Sequence, residues 1–457
     1  MFKWRHTGKD FRIQLADLSI FPPNFDAISF LHMKYPTPFV LVAFLFCACH
    51  SAPKTGIAEI SLIDHPAAEG SRYPHLHTTP DGKVLMSWLQ KLSEGSFSLK
   101  FATLEDGIWS DTATIFTGDD FFDNWADFPS VTWSPAGYYA AHWLRKVEGG
   151  YFAYHVQMAF SDDGRNWSAP ITPHLDLSPS EHGFVSLEPL PNGRILAVWL
   201  DGRNTAAAFE SGPSDHAHTQ QDQHAHAAGA MTLRSAEIGR DGSIHHKHEI
   251  DARVCDCCPT SLVRDDLTAW VVYRNRSQEE VRDFYIVAYD IANAEWGSPS
   301  PVHADGWQIG GCPVNGAALA VLNDELHVSW FTAAGDDPRV LTAAASTEQL
   351  HFGEPVRLST GDALGRVNSA VNGTSKGVLW MEEGAESFSY GQIYLSKLPA
   401  ENDMPVQTEV EGIGISRSRL TGFPQLTALP GQAGSYLLAW TRHEPSFGIE
   451  MRKLQVR

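Results

Sequence analysis

Three cysteines fall within four residues in VCDCCPT, Val254 to Thr260, and a fourth, Cys312, stands in GGCPVNG. The chain has 457 residues and six cysteines, so this is most of its cysteine. Cys255, Cys257, Cys258 and Cys312 are suited to three kinds of chemistry. An exported protein can pair them as disulfides. As thiolates they can hold a soft cation, copper first and zinc second, because four sulfurs fill a tetrahedral shell. They can also exchange disulfides, with a neighbouring arginine lowering a thiol pKa. The spacing is not the CxxC…CxxC of a zinc ribbon, so all three stay open.

Two further groups of side chains carry chemistry. SDHAHTQQDQHAHA places His216, His218, His224 and His226 in one polar stretch, within an insertion at about 208–228. Flexible imidazoles of this kind capture a metal and pass it to a fixed site; the bland alternative is a solvated low-complexity loop. Arg72, Arg203, Arg274, Arg276 and Arg366 are spread along the chain. A planar guanidinium pairs bidentately with a carboxylate, so a set of them suits an acidic ligand. Pairing with the chain's own carboxylates is the competing role. The formal net charge of −20 disfavours nucleic acid and anionic membrane surfaces as partners.

A repeat must position these groups. Trp88, Trp143, Trp199, Trp270, Trp330, Trp380 and Trp440 each end an apolar run that follows a tight turn. TTPDGKVLMSWL, EPLPNGRILAVWL and AVLNDELHVSW are examples. The interval is about 50 to 70 residues. Asp-Gly and Asn-Gly supply turn residues that tolerate positive φ. After each Trp comes a polar loop, then an alternating run such as FYIVAYDI, then a weaker segment such as WSAPITPH. That is four strands per repeat with little helical periodicity. Repeated four-stranded antiparallel sheets define an all-β fold, a β-propeller. The count predicts seven blades, with six as the alternative. The last copy lacks its fourth strand, which GIAEISLIDHP near residue 60 can supply, closing the ring by pairing the two terminal strands.

Propeller topology then sorts the loops. Entries to first strands and loops from second to third strands share one face. The entries read RYPHLH, DFPSV, EHGFVSL, CCPTSL, GCPVNG, GRVNSA and GFPQL. Cys258 and Cys312 stand at matching positions in adjacent copies and are expected to lie together. A Cys258–Cys312 bridge, with Cys255–Cys257 beside it, is the disulfide form of the cluster. The histidine insertion emerges on the same face. Strand-entry His75 is expected to face the channel and His77 the core. HHKHE, His245 to Glu249, falls on a far-face turn or a fourth strand.

SDDGRNW, Ser161 to Trp167, resembles the Asp box of sialidase-type propellers, with degenerate copies LEDGIW and IANAEW; SRYP resembles their arginine-bearing entry. The resemblance covers nearly all of the chain beyond the N-terminal segment. It implies a fold first, because the Asp box is a turn on the face away from the active site. It further implies three arginines on a carboxylate, a tyrosine activated by a glutamate, and an aspartate as acid/base. Arg72 matches by motif. Arg274 and Arg366 follow by blade position, Tyr390 with Glu386 by residue type, and Asp283 is the remaining catalytic candidate. The acid/base aspartate that should follow Trp88 is missing, since LQKLSEGSF stands there.

MKYPTPFVLVAFLFCACHSAPK, from Met33, reads as a signal sequence whose FCAC resembles a bacterial lipobox ending at Cys49. Residues 1–49 are thus a targeting segment with the true start at Met33, and 50–457 one propeller domain. These features predict a lipid-anchored, monomeric protein of the bacterial envelope or periplasm. It takes a small ligand or a metal, copper or zinc, at the channel mouth, and meets the membrane only through its anchor. The alternatives are an exo-sialidase-like hydrolase of acidic sugars and a protein-interaction scaffold with structural disulfides.

Overall fold

The computed structural model describes residues 57–205, 229–383, 389–397 and 406–456. Every described sheet is antiparallel and built from strands adjacent in sequence, apart from one that takes a strand from each end. The pattern begins with Ser71–Thr78, Val84–Ser93, Ser96–Glu105 and Ile108–Trp109. It returns in His182–Pro189, Ile195–Asp201, Met231–Ile238 and Ile244–Val254. The sheet ending the chain, Gln425–Ala428, Ser435–Arg442 and Gly448–Val456, has Ile57–Leu62 as its fourth strand, with Ile60 opposite Leu454.

The repeated tryptophans explain why these sheets pack. Each lies on the second strand of its sheet and is at most 3% exposed. A buried Trp removes roughly 150–250 Å² from water. Trp270 and Trp330, from adjacent sheets, share one cluster with Val272, Ile286, Leu326 and Val328. The core is therefore a series of layers between neighbouring sheets, as the propeller architecture requires.

The expected count of seven four-stranded blades is corrected: among the described residues six sheets have four or more strands, and Ser130–Ser134, Tyr138–Lys146, Tyr154–Ser161 has three. Its fourth segment reduces to one bridge between Met158 and Ile171. Pro170 and Pro173 flank Ile171. Proline has no N–H to give a ladder, so the strand cannot extend either way.

Strand entries are latched across sheets. Tyr73, Phe184 and Arg366 occupy the same place in three entries and all have φ near +52°. Their N–H groups donate to Thr441 Oγ1, Asp127 Oδ1 and Asn315 Oδ1, each on another sheet or its entry. The latch needs bare backbone beside it: a Cβ on Gly183 would stand 1.9 Å from Asp127 Oδ2.

Candidate functional site

The four cysteines do converge, but the pairing differs from the expected one. Cys257, not Cys258, is bridged to Cys312, with Cα atoms 6.1 Å apart. The bridge joins the entries of two neighbouring sheets. Cys255 and Cys258 are free thiols with Sγ atoms 3.5 Å apart. The sulfurs of Cys255, Cys257 and Cys258 lie within 4.8 Å of one another. Cys258 turns instead toward Cys255 and the Asn315 N–H, so its neighbour in sequence meets the adjacent blade. None of the four is more than 7% exposed.

Arginines surround the thiol pair. Arg282 donates from Nη1 to Cys255 Sγ at 3.3 Å, and is itself held by Glu280. Arg276 forks onto both oxygens of Asp256, at 3.1 and 3.0 Å, and onto Glu280. Burial opposes a Cys255 thiolate, but the Cys258 S–H and the charge of Arg282 outweigh it and bring the thiol down to about 6. Cys258 is pushed up by burial and by the Cys255 charge. The cysteine pair is thus expected to carry one thiolate at neutral pH. Thiolate absorbance should titrate near pH 6, and Arg282→Met should move the midpoint upward; a wild-type midpoint near that of free cysteine would contradict this.

The arginines expected to clamp a carboxylate are each engaged elsewhere. Arg72 pairs with Asp123 at 2.8 Å and covers the Phe447 ring. Arg274 donates to the carbonyls of Arg282, Asn315 and Phe331 and stacks on Phe284. Arg366 donates to the carbonyls of Ser418, Gly422 and Arg417, over the Trp125 ring. Arg203 forks onto Asp201. Asp283 accepts the backbone N–H groups of Gly306 and Trp307, which makes it a loop fastener. The Tyr390 backbone pairs with Glu382, while its side chain lies outside the described residues, as do Glu386, Cys49 and the insertion with His216, His218, His224 and His226.

A central cavity of about 490 Å³ is walled by inner strands, with His75, Ser130, Glu188, Leu319, Asn368 and Gln425 among its residues. His77 lines it together with His75, although it was expected in the core. Burial lowers the pKa values of His75 and His77 to about 3 and about 4, so both are neutral. Asp127 also reaches this wall, and burial pushes its carboxyl up to about 7. The Tyr154 hydroxyl bridges Asp127, at 3.0 Å, and Glu181, at 2.7 Å. The sequence reading missed this trio and Arg282. Alternation along Tyr154–Ser161 marks inward positions but not which buried hydroxyl meets a carboxylate. Arg282 was hidden beside Asp283, the residue that drew attention.

Ser161–Trp167 forms a tight turn. Asp163 accepts the N–H groups of Arg165 and Asn166 and the Asn166 side-chain amide. Asp290 makes the same contacts with Ala292 and Asn293. His245–Glu249 lies on the outermost strand of its sheet.

Fold and site together define a β-propeller with a buried sulfur centre at its strand entries. No protein-family profile and no curated protein matches the chain. Among solved structures it is similar to a protein of unknown function from Dyadobacter fermentans, with TM-score 0.48, 10% identity and coverage of 89% of this chain and 100% of that one. It is similar to an alpha-L-arabinanase from Penicillium chrysogenum, with TM-score 0.47, 9% identity and coverage of 87% and 98%. It is also similar to a Hadza microbial sialidase, with TM-score 0.40, 14% identity and 68% of this chain covered; the match spans only 63% of that protein.

Proposed function

We propose that the protein binds one soft cation, Cu(I), between Cys255 and Cys258, in an envelope lipoprotein anchored through Cys49. The observation that carries this reading is a pair of adjacent free thiols, 3.5 Å apart and each 1% exposed. A site so enclosed suits an ion better than an organic substrate. Two thiolates suit Cu(I), whereas structural zinc takes four ligands, and two of these sulfurs are spent in the Cys257–Cys312 bridge. Arg282 balances the negative charge of a bis-thiolate complex. The test is anaerobic Cu(I) titration against a competing chelator. One equivalent should bind, and Cys255→Ser and Cys258→Ser should each weaken it by about 100-fold or more. Unchanged affinity in both variants removes the reading.

A second reading, hydrolysis of an acidic sugar such as a sialoside, is supported by Asp127. A carboxyl with its pKa near neutrality beside a sugar-sized cavity has the property of a general acid. Tyr154 and Glu181 complete the residue types that a sialidase-like site employs. Release of fluorophore from acidic glycosides, abolished in Asp127→Asn, is the expected outcome. Inertness of the wild type across such substrates counts against it.

A further inference from the structure

The free thiols at the strand entries lie beside a disulfide with which they can react. Cys255, Cys257 and Cys258 belong to the connection between strands Ile244–Val254 and Ser261–Arg264. A turn at Asp256 and Cys257 gathers their three sulfurs within 4.8 Å of one another. Cys257 is already bonded to Cys312. A thiolate that reaches one sulfur of a disulfide displaces the other.

Geometry assigns the parts. Cys258 is a poor attacker on Cys257, its neighbour in sequence. Consecutive Cα atoms, about 3.8 Å apart, fall short of the roughly 4.4–6.8 Å that a relaxed disulfide spans. Cys255, two residues from Cys257, escapes that limit. The Arg282 guanidinium donates to its Sγ at 3.3 Å and so favours thiolate over thiol. Cys258 touches Cys255 at 3.5 Å, which places it to resolve a bond that Cys255 has made. The leaving sulfur belongs to another blade. Cys312 follows Gly310 and Gly311, and a Cβ on either glycine would meet nothing within 4 Å. This segment borders open space, so it can draw Cys312 away once the bond is broken.

We propose that the four cysteines carry out an internal thiol–disulfide exchange that moves the bridge from Cys257–Cys312 to Cys255–Cys258. In the first step the Cys255 thiolate bonds to Cys257 Sγ, and Cys312 leaves as a thiolate. In the second the Cys258 thiolate bonds to Cys255 Sγ, and Cys257 leaves. Each step makes one S–S bond and breaks one. The two protons given up by Cys255 and Cys258 end on Cys257 and Cys312, and neither oxidant nor reductant is consumed. The exchange unties two neighbouring blades. It moves the free thiols from residues 1% exposed to residues 5% and 7% exposed. It also removes both ligands of a Cu(I) ion, but it uses no metal itself and does not rest on the Cu(I) reading.

The test treats the full chain, freed of metal by a chelator and kept without reductant, with iodoacetamide. The reaction is quenched in acid and the cysteines are mapped by peptide mass spectrometry. Wild type should yield a fraction, growing with time, in which Cys257 and Cys312 are alkylated and Cys255 is bridged to Cys258. Cys258→Ser should stop after the first step, with Cys312 alkylated and Cys255 bridged to Cys257. Cys255→Ser should leave the Cys257–Cys312 bridge intact. Wild-type alkylation confined to Cys255 and Cys258 overturns the proposal. So does release of Cys312 in Cys255→Ser at the wild-type rate, which marks scrambling through unfolding. Neither outcome bears on Cu(I) binding by the reduced pair.

Discussion

Replacing Cys257 and Cys312 together by alanine is expected to lower the stability of the oxidised protein by about 4 kcal/mol. The bridge closes 55 residues of sequence, and chain-entropy reasoning gives that magnitude for such a loop. Its position adds to the effect. It joins two neighbouring strand entries, where the layers between sheets are sealed by Trp270 and Trp330. Domains are stable by only about 5–15 kcal/mol, so the loss moves the denaturation midpoint far outside error. Urea unfolding of the double variant against wild type, both without reductant, measures it; a difference under about 1 kcal/mol would show that the bridge is not a fastener. Cu(I) gives a second arm. A ligand at 100 times its Kd stabilises the native state by about 2.7 kcal/mol. The double variant keeps Cys255 and Cys258, so Cu(I) should return part of what the bridge supplied. No recovery would separate the bridge from any metal function of its neighbours.

How far the sequence led differs between fold and site, for physical reasons. Trp88 and its six counterparts announced themselves because each blade repeats the same turn, strand and buried indole. A repeat survives an error in any single copy. The one misjudged copy, WSAPITPH, failed where Pro170 and Pro173 outweigh the repeat. Register within the cysteine cluster was less legible. Cys257 and Cys258 are consecutive, and which of them faces the next blade depends on a local turn rather than on repeat phase. The arginines were the least legible. A guanidinium that donates to backbone carbonyls leaves no trace in sequence, since every residue has a carbonyl. Arg366 and Arg274 therefore looked like free cations on a ligand-binding face. The stacked imidazoles of His174 and His182 were hidden for a similar reason, one lying in a loop without periodicity and the other at the first residue of a strand.

Arg274→Met should cost about 3–5 kcal/mol of stability, chiefly by stranding the carbonyls of Arg282, Asn315 and Phe331. The side chain is 1% exposed, so water does not replace the lost donors. Each buried acceptor left alone costs about 1–3 kcal/mol, and methionine refills only the space over Phe284 and Trp307. Arg274→Lys keeps the charge but offers one compact ammonium to carbonyls arranged for a fork, so an intermediate loss of about 2 kcal/mol is expected. The series separates two roles for this residue. A substrate clamp would lose ligand affinity and leave the unfolding curve in place, because a clamp faces solvent until the ligand arrives. A strut between neighbouring sheets does the reverse. Arg274 bonds the loop after its own strand, the entry of the next sheet and that sheet's second strand. Its loss should therefore loosen the wall behind Cys255 as well. Chemical denaturation followed by tryptophan fluorescence reads the first effect, and alkylation rates of Cys255 and Cys258 read the second. Wild-type stability in Arg274→Met would return this arginine to the binding face.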